Sequence, residues 1–336
     1  MEYRYLGRTG VRVSPLCLGC MTFGRGTPEE ESYRIIDRAI EAGINFVDTA
    51  NVYGRGISEE VLGRALQRNG KRNYVVLATK VFGHMADDDP NAWHSHRRHI
   101  IEACEASLKR LQTDWIDLYQ IHRPSNDIPI DETLRALDDL VRSGKVRYIG
   151  SSTYAAWQVV ESLWAAKEYG LNRFVSEQPP YHLLDRRIER ELLPMAQTYG
   201  IAILPWSPLA GGFLTGKYRR GEAIPEGVRF SADREDDWVK NHFVDRAFDM
   251  LELLAELAKE KSCSISQLAL AWCADGAGVT SPIIGPRTFE QLEDNLGSIE
   301  VKLTDDDRKR IDALIPPGRA VVPYYEADFG PHKHRW

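Results

Sequence analysis

Apolar residues along this chain fall into two alternating kinds of run. Short runs, dense in branched side chains, recur at 16–20, 45–50, 75–80, 116–122, 146–151, 174–178, 201–206 and 280–285. Between them stand longer stretches whose apolar positions repeat at helical spacing. The first of these opens on Pro28 with Glu29, Glu30 and Glu31 in its first turn, where a missing N–H breaks no hydrogen bond and negative charge meets the helix dipole; its apolar stripe is Ile35, Ile36, Ala39 and Ile40. The second opens at Ser58-Glu59-Glu60, and the rest are predicted over 97–111, 130–143, 155–169, 187–199, 245–261 and 289–298, with an extra helical piece over 264–274. Gly43, Gly70, Gly144, Gly170 and Gly200 stand where C-terminal stop residues belong. Ahead of all this, residues 3–6, the turn Gly7-Arg8-Thr9-Gly10 and residues 11–13 read as a β-hairpin.

Eight successive βα units with near-continuous apolar strands imply a parallel sheet covered by helices, and eight is the count at which such a sheet closes. The predicted fold class is therefore α/β: a (β/α)8 TIM barrel preceded by an N-terminal β-hairpin, one domain over residues 1–336 with a C-terminal tail at 319–336. A doubly wound sheet shows the same alternation. Its phosphate-binding fingerprint, Gly-x-Gly-x-x-Gly after the first strand, is absent, so a dinucleotide is not held in that manner here.

With 43% hydrophobic and 27% charged residues in 336, the composition is that of an ordinary globular protein with a large core. The net charge of -6 gives no basic footprint, which disfavours nucleic acid and anionic membranes and favours a small-molecule partner. The N-terminus is charged from Glu2 onward and no run of about 18 apolar residues occurs, so cytoplasmic residence without membrane insertion is the expectation. Five scattered cysteines, an odd number, predict reduced thiols. Cys17 and Cys20 form a C-x-x-C, but an odd spacing within one strand directs them to opposite faces. No metal site is expected, and the run Asp87-Asp88-Asp89 reads as a solvated loop.

Chemistry gathers where the strands end. Asp48, Lys80 and His122 close three different apolar strands, and Tyr53 lies in the loop after the first of them. In a barrel those ends converge on one mouth, which is where barrel active sites are built. An ammonium beside a phenol stabilises the phenolate and eases proton release, and a buried lysine needs a counter-ion, for which Asp48 is suited. His122 is suited to orient a carbonyl oxygen by donating a hydrogen bond and to share in proton delivery.

The segment Asp48-Thr49-Ala50-Asn51-Val52-Tyr53-Gly54 resembles the signature of the aldo-keto reductases, with Lys80 and His122 standing where that family keeps its other two catalytic residues. The resemblance runs collinearly from the hairpin to about Ile315. It includes Gly150-Ser151-Ser152, Glu177-Gln178 and Trp206-Ser207-Pro208-Leu209-Ala210-Gly211-Gly212. Within the family the chain is similar to the branch of potassium channel β-subunits and bacterial reductases, including sugar-modifying ones. The channel subunits carry Asn where this chain has His122, so its imidazole favours a working reductase.

The resemblance implies NADPH as cofactor and a carbonyl compound as substrate, with Tyr53 as general acid. It implies that Trp206 stacks on the nicotinamide, that Ser151, Ser152 and Gln178 hydrogen-bond it, and that Gly19, Cys20 and Met21 line the ribose side, with Asp48 bordering the cofactor as well. Ser207, Pro208, Leu209, Ala210, Gly211 and Lys217 would embrace the pyrophosphate, and Gly285, Arg287, Gln291, Asp294 and Asn295 the adenine end. Arg287 is the candidate for the 2'-phosphate, since a guanidinium matches phosphate oxygens and stays charged. The chain departs from the family there, with Gly285 in place of a frequent Lys and Gln291 in place of an Arg. Arg229 would clamp the cofactor from above.

Two other readings share these residues. Lys80 as an imine-forming nucleophile would make the chain a Schiff-base lyase, and tight NADPH binding with little turnover would make it a regulatory or redox-sensing subunit. The loop over 82–96, with Trp93, His94 and His96, is expected either at the pocket rim or as plain surface, and residues 216–241 as a flap or a disordered excursion. The aromatic tail is expected to cover the mouth or to join a second copy in a homo-oligomer.

Overall fold

In a computed structural model, residues 1–225, 228 and 243–322 are described. A short antiparallel hairpin, β1 (Arg4–Tyr5) and β2 (Arg12–Val13), precedes eight parallel strands. These are β3 (Cys17–Gly19), β4 (Phe46–Asp48), β5 (Val76–Val81), β6 (Ile116–Ile121), β7 (Val146–Ser152), β8 (Phe174–Gln178), β9 (Ala202–Ile203) and β10 (Ile283–Ile284). They pair in chain order, and β10 returns to pair with β3. Hydrogen bonds from the Thr280 N–H to the Ile203 carbonyl (2.8 Å) and from the Ile283 N–H to the Pro205 carbonyl (2.8 Å) join the last strand to β9. Such a ring is the (β/α)8 barrel. A doubly wound sheet would reverse its strand order midway, and this one does not.

Alternation along the strands sorts side chains between two cores. Cys17, Phe46, Ala78, Leu118, Ala202 and Leu204 fill the barrel interior, while Leu18, Val47, Leu77, Tyr119 and Ile149 face the helices. Cys17 lies inside and Cys20 outside, as their spacing predicts, and all five cysteines are free. Leu6 and Val13 of the hairpin join the interior cluster and so plug the N-terminal end of the barrel. Gly7 lets the plug approach: it has φ 58°, and a Cβ there would stand 2.6 Å from the Val175 carbonyl oxygen.

The outer layer comprises α1 (Glu29–Glu41), α2 (Ile57–Arg68), α3 (Arg97–Leu111), α4 (Ile130–Arg142), α5 (Ala156–Tyr169), α6 (Leu192–Tyr199), α7 (Asp245–Glu260), α8 (Ile265–Ala274), α9 (Phe289–Gly297) and α10 (Asp305–Leu314). Helix α4 shows the logic. Asp131 and Glu132 occupy its first turn, Arg142 its last, and Leu134, Leu137 and Leu140 are buried on one stripe. All five glycines expected to end helices adopt positive φ.

Two elements differ from expectation. The helix predicted over 187–199 is a 3-10 turn at Arg187–Glu189 followed by α6, because Pro194 has no N–H and is tolerated only in a first turn. Helix α10 was not foreseen, although Thr304 and Asp307 form a capping box that marks its start. At the chain's end, Ala320 bridges antiparallel to Asp185, and the Val321 N–H donates to the Leu184 carbonyl at 2.9 Å. The rest of the predicted tail, most of the 216–241 segment and Arg229 lie outside the described residues. Among the described residues, no helix is long and apolar enough to cross a membrane.

Candidate active site

Inside the barrel, an apolar layer containing Ala78 and Leu118 is capped toward the C-terminal mouth by Lys80 and Gln120, which pair in register on β5 and β6. Two residues along a strand return to the same face, so the sequence sets polar groups directly on that layer. Asp48 ends β4, and Tyr53 opens the 3-10 turn Tyr53–Gly56. His122 follows β6 with its N–H held by the Val81 carbonyl at 3.0 Å.

Lys80 is completely buried and Asp48 nearly so. The ammonium is ion-paired with Asp48 Oδ1, donates to the Thr49 carbonyl at 2.8 Å and lies 3.5 Å from the Tyr53 hydroxyl. Gln120 and Gln178 donate to the second carboxylate oxygen, Oδ2, at 3.1 and 3.0 Å. The Tyr53 and His122 rings meet edge to face with centroids 5.6 Å apart. All four residues singled out at the strand ends are therefore in one cluster.

Charge states follow from the surroundings. Burial by itself pulls the Lys80 pKa down, but the charge of Asp48 and the neighbouring Tyr53 outweigh it, and the net shift is upward. Lys80 stays an ammonium. For His122 the terms reinforce each other: burial, then the charges of Lys80 and Arg123, hold its pKa well below the ordinary imidazole value. The ring is half-buried and meets Tyr53 edge to face with those two cations nearby, and a neutral imidazole follows.

The positions assigned to a cofactor divide by accessibility. Trp206 is half-buried, and the Arg123 guanidinium lies 5.8 Å from its ring. The same guanidinium donates to the His122 carbonyl at 2.8 Å, so the indole and the tetrad are one side chain apart. Ser207, Ala210 and Gly211 have positive φ, turning the chain tightly over a run of small side chains. Lys217 folds back so that its ammonium would be 2.9 Å from a Cβ on Gly212. Pro208 is buried and Leu209 half-buried in that turn. After the adjacent strand β10, Gly285 and Arg287 are exposed, and the Gln291 side chain accepts the Arg287 N–H at 2.8 Å; Asp294 is half-buried and Asn295 buried on α9.

Other assigned residues are engaged within the protein. Ser151 donates to Glu177 Oε2 at 2.5 Å and Ser152 to the Gln178 carbonyl at 2.9 Å, both hydroxyl residues being buried. Cys20 is buried, whereas Met21 beside it is 44% exposed, so of that pair Met21 offers the open side chain. Gly19 allows β10 to approach, since a Cβ there would lie 2.6 Å from Ile283 Cγ2.

Five residues at or beside the mouth received no role from the sequence. Gln120 is a lone amide on the inward face of an apolar strand. Arg123 bridges the His122 carbonyl and the Thr153 hydroxyl (3.0 Å). Glu177, fully buried, has its pKa pushed up by burial to about 8 and accepts the Tyr154 N–H at 3.0 Å. Between them Thr153 sits at φ 63°, a strained conformation for a β-branched residue that persists only when its surroundings enforce it. Asn51, also fully buried, has neither side-chain polar atom matched to a protein partner. A signal existed for Glu177 alone, an acid closing an apolar strand.

The loop after β5 packs beside Tyr53. Asp87 of the acidic run pairs with Arg55 at 2.5 Å, and Gly83 comes so close to Val52 that a Cβ would stand 2.8 Å from its Cγ2. Trp93 stacks on His84 with centroids 4.4 Å apart.

Fold and cluster together define a closed parallel barrel with its ionisable chemistry gathered at the C-terminal mouth. The Aldo/keto reductase family model matches residues 15–316, and the chain belongs to that family. It is 42% identical over 338 residues to a Bacillus subtilis (strain 168) protein described as the uncharacterized oxidoreductase YrpG, covering 97% of this chain and 99% of that one. A protein of Oryza sativa subsp. japonica, described as a probable voltage-gated potassium channel subunit beta, is 37% identical over 320 residues, 94% of this chain and 97% of its own. A Schizosaccharomyces pombe protein described as a putative subunit of the same kind is 36% identical over 323 residues, 94% and 93% of the two chains.

Proposed function

We propose that this protein reduces an aldehyde or ketone to the alcohol using NADPH, with Tyr53 as general acid. One observation carries the reading: a fully buried ammonium, Lys80, held by Asp48, lies 3.5 Å from a phenol hydroxyl whose ring meets an imidazole. NADPH, when bound, supplies the hydride. The chain's own residues supply everything else. As the proton leaves the Tyr53 oxygen, negative charge develops there, and the Lys80 ammonium stabilises it in a site where water does not screen the field. A neutral His122 has no imidazolium proton to give, which leaves Tyr53 as the donor; the imidazole N–H is then free to orient the carbonyl oxygen.

The residues fit a dinucleotide. Trp206 offers a half-buried flat face, the turn from Ser207 to Gly212 small side chains, and Lys217 and Arg287 cations suited to phosphate. Arg287, exposed at the end that the resemblance assigns to adenine, supports NADPH over NADH. The upward pKa shift of Lys80 argues against Schiff-base chemistry, which needs the free amine. The descriptions of the rice and yeast relatives keep a second reading in play, a dinucleotide-binding subunit with little turnover. Fluorescence titration with NADPH and NADH, followed by a panel of carbonyl compounds read by cofactor absorbance, separates the two. Turnover with NADPH is the expected result; tight binding without turnover on any carbonyl would overturn the reductase reading.

A further inference from the structure

Gln120 is fully buried beside Lys80, and its amide does two things. Its Nε2 donates to Asp48 Oδ2 at 3.1 Å, and its Oε1 accepts from Gln178 Nε2 at 3.2 Å. Gln178 in turn donates to the same Asp48 oxygen at 3.0 Å, while Oδ1 holds Lys80. Three side chains from β5, β6 and β8 thus fix one carboxylate in rotation as well as in place. We propose that Gln120 is a positioning residue for the reaction: by clamping Asp48 it sets the Lys80 ammonium against the Tyr53 hydroxyl.

The inference rests on the reductase reading of the site. Its physical basis is that an ion pair points only as well as its partners are held. Without the Gln120 amide, Asp48 Oδ2 keeps a single donor, and Gln178 loses the acceptor that aims it. The carboxylate can then turn about its last bond, and Lys80 follows it away from the 3.5 Å contact with Tyr53. Gln120 itself bonds to neither Tyr53 nor His122, so its effect passes through Asp48 and Lys80.

Gln120→Met in the full chain removes the donor and acceptor while keeping the length of the side chain. We expect kcat to fall roughly tenfold or more, while KM for the carbonyl and dinucleotide affinity stay within about twofold. A merely structural glutamine would lower the unfolding midpoint and leave the kcat of the folded variant where it was. Gln120→Glu preserves shape and polarity. Its carboxylate can still accept from Gln178 but cannot donate to Asp48, so kcat should fall in this variant too. Parent-level kcat in Gln120→Met, or in Gln120→Glu should the first not fold, would overturn the assignment. Carbonyl turnover by the parent chain is the separate control: its absence sinks the reductase reading, whereas an active parent with indifferent Gln120 variants sinks this inference alone.

Discussion

At the scale of single residues, the cluster separates donors of protons from holders of charge. Tyr53→Phe deletes one oxygen from a half-buried ring, so turnover should drop about 10²–10⁴-fold, the usual worth of a general acid. NADPH affinity, read by fluorescence, should change little. Lys80→Met should cost as much turnover and also stability, because it leaves Asp48 buried without its cation. Breaking a buried pair typically costs about 3–5 kcal/mol; the two glutamine donors to Asp48 Oδ2 place the expectation toward the lower end, measurable by urea unfolding. Arg287→Met should weaken NADPH binding by roughly 1.5–3 kcal/mol, the worth of a charge-assisted contact, and leave NADH unaffected. Equal losses for both dinucleotides would remove Arg287 from the 2'-phosphate. Asp48, Lys80 and His122 were legible in the sequence because an ionisable group closing an apolar strand stands out, and Tyr53 because it stands in the loop just past the first of those strands. Gln120 and Arg123 were not, since an uncharged amide within a strand and a cation in a loop after it have unremarkable local contexts.

At the scale of elements, helix α3 carries a pH dependence. His99 is buried, and burial first, then the nearby His96, lower its pKa from the usual imidazole value to about 4. The folded state therefore refuses a proton that the unfolded state accepts. The stability this contributes is whole above the unfolded imidazole value of about 6.5 and is lost progressively as pH falls toward about 4. His122, shifted in the same direction, adds to that loss. His99→Gln should flatten the decline of the urea midpoint between those pH values, and an unchanged slope would exclude His99 as its source. Helix boundaries repeat the lesson on legibility. Glycine stops and acidic first turns were readable because capping is local, while the break before α6 needed the weight of Pro194 over an apolar pattern that continued past it.

At the scale of the whole molecule, the hairpin plug is what makes the barrel interior a closed core. Leu6→Ala should cost about 2–5 kcal/mol, as for other leucines deleted from packed cores, without altering the ratio of NADPH to NADH affinity. A fall in stability accompanied by a changed cofactor preference would mean that the two ends of the barrel are coupled. Plug and mouth lie at opposite ends of the strands, with the interior apolar layer between them.

By itself the sequence determined the alternation of elements, the closure of eight strands and the four ionisable groups at the mouth, because periodicity, capping and strand-end chemistry are properties of neighbouring residues. Only the tertiary structure decided that Gln120 and Gln178 share one oxygen of Asp48, that Arg123 spans from His122 to Thr153 under Trp206, and that His122 is held neutral. Those facts depend on distances between residues far apart in the chain and on the burial and charge that their meeting creates, neither of which a local pattern contains.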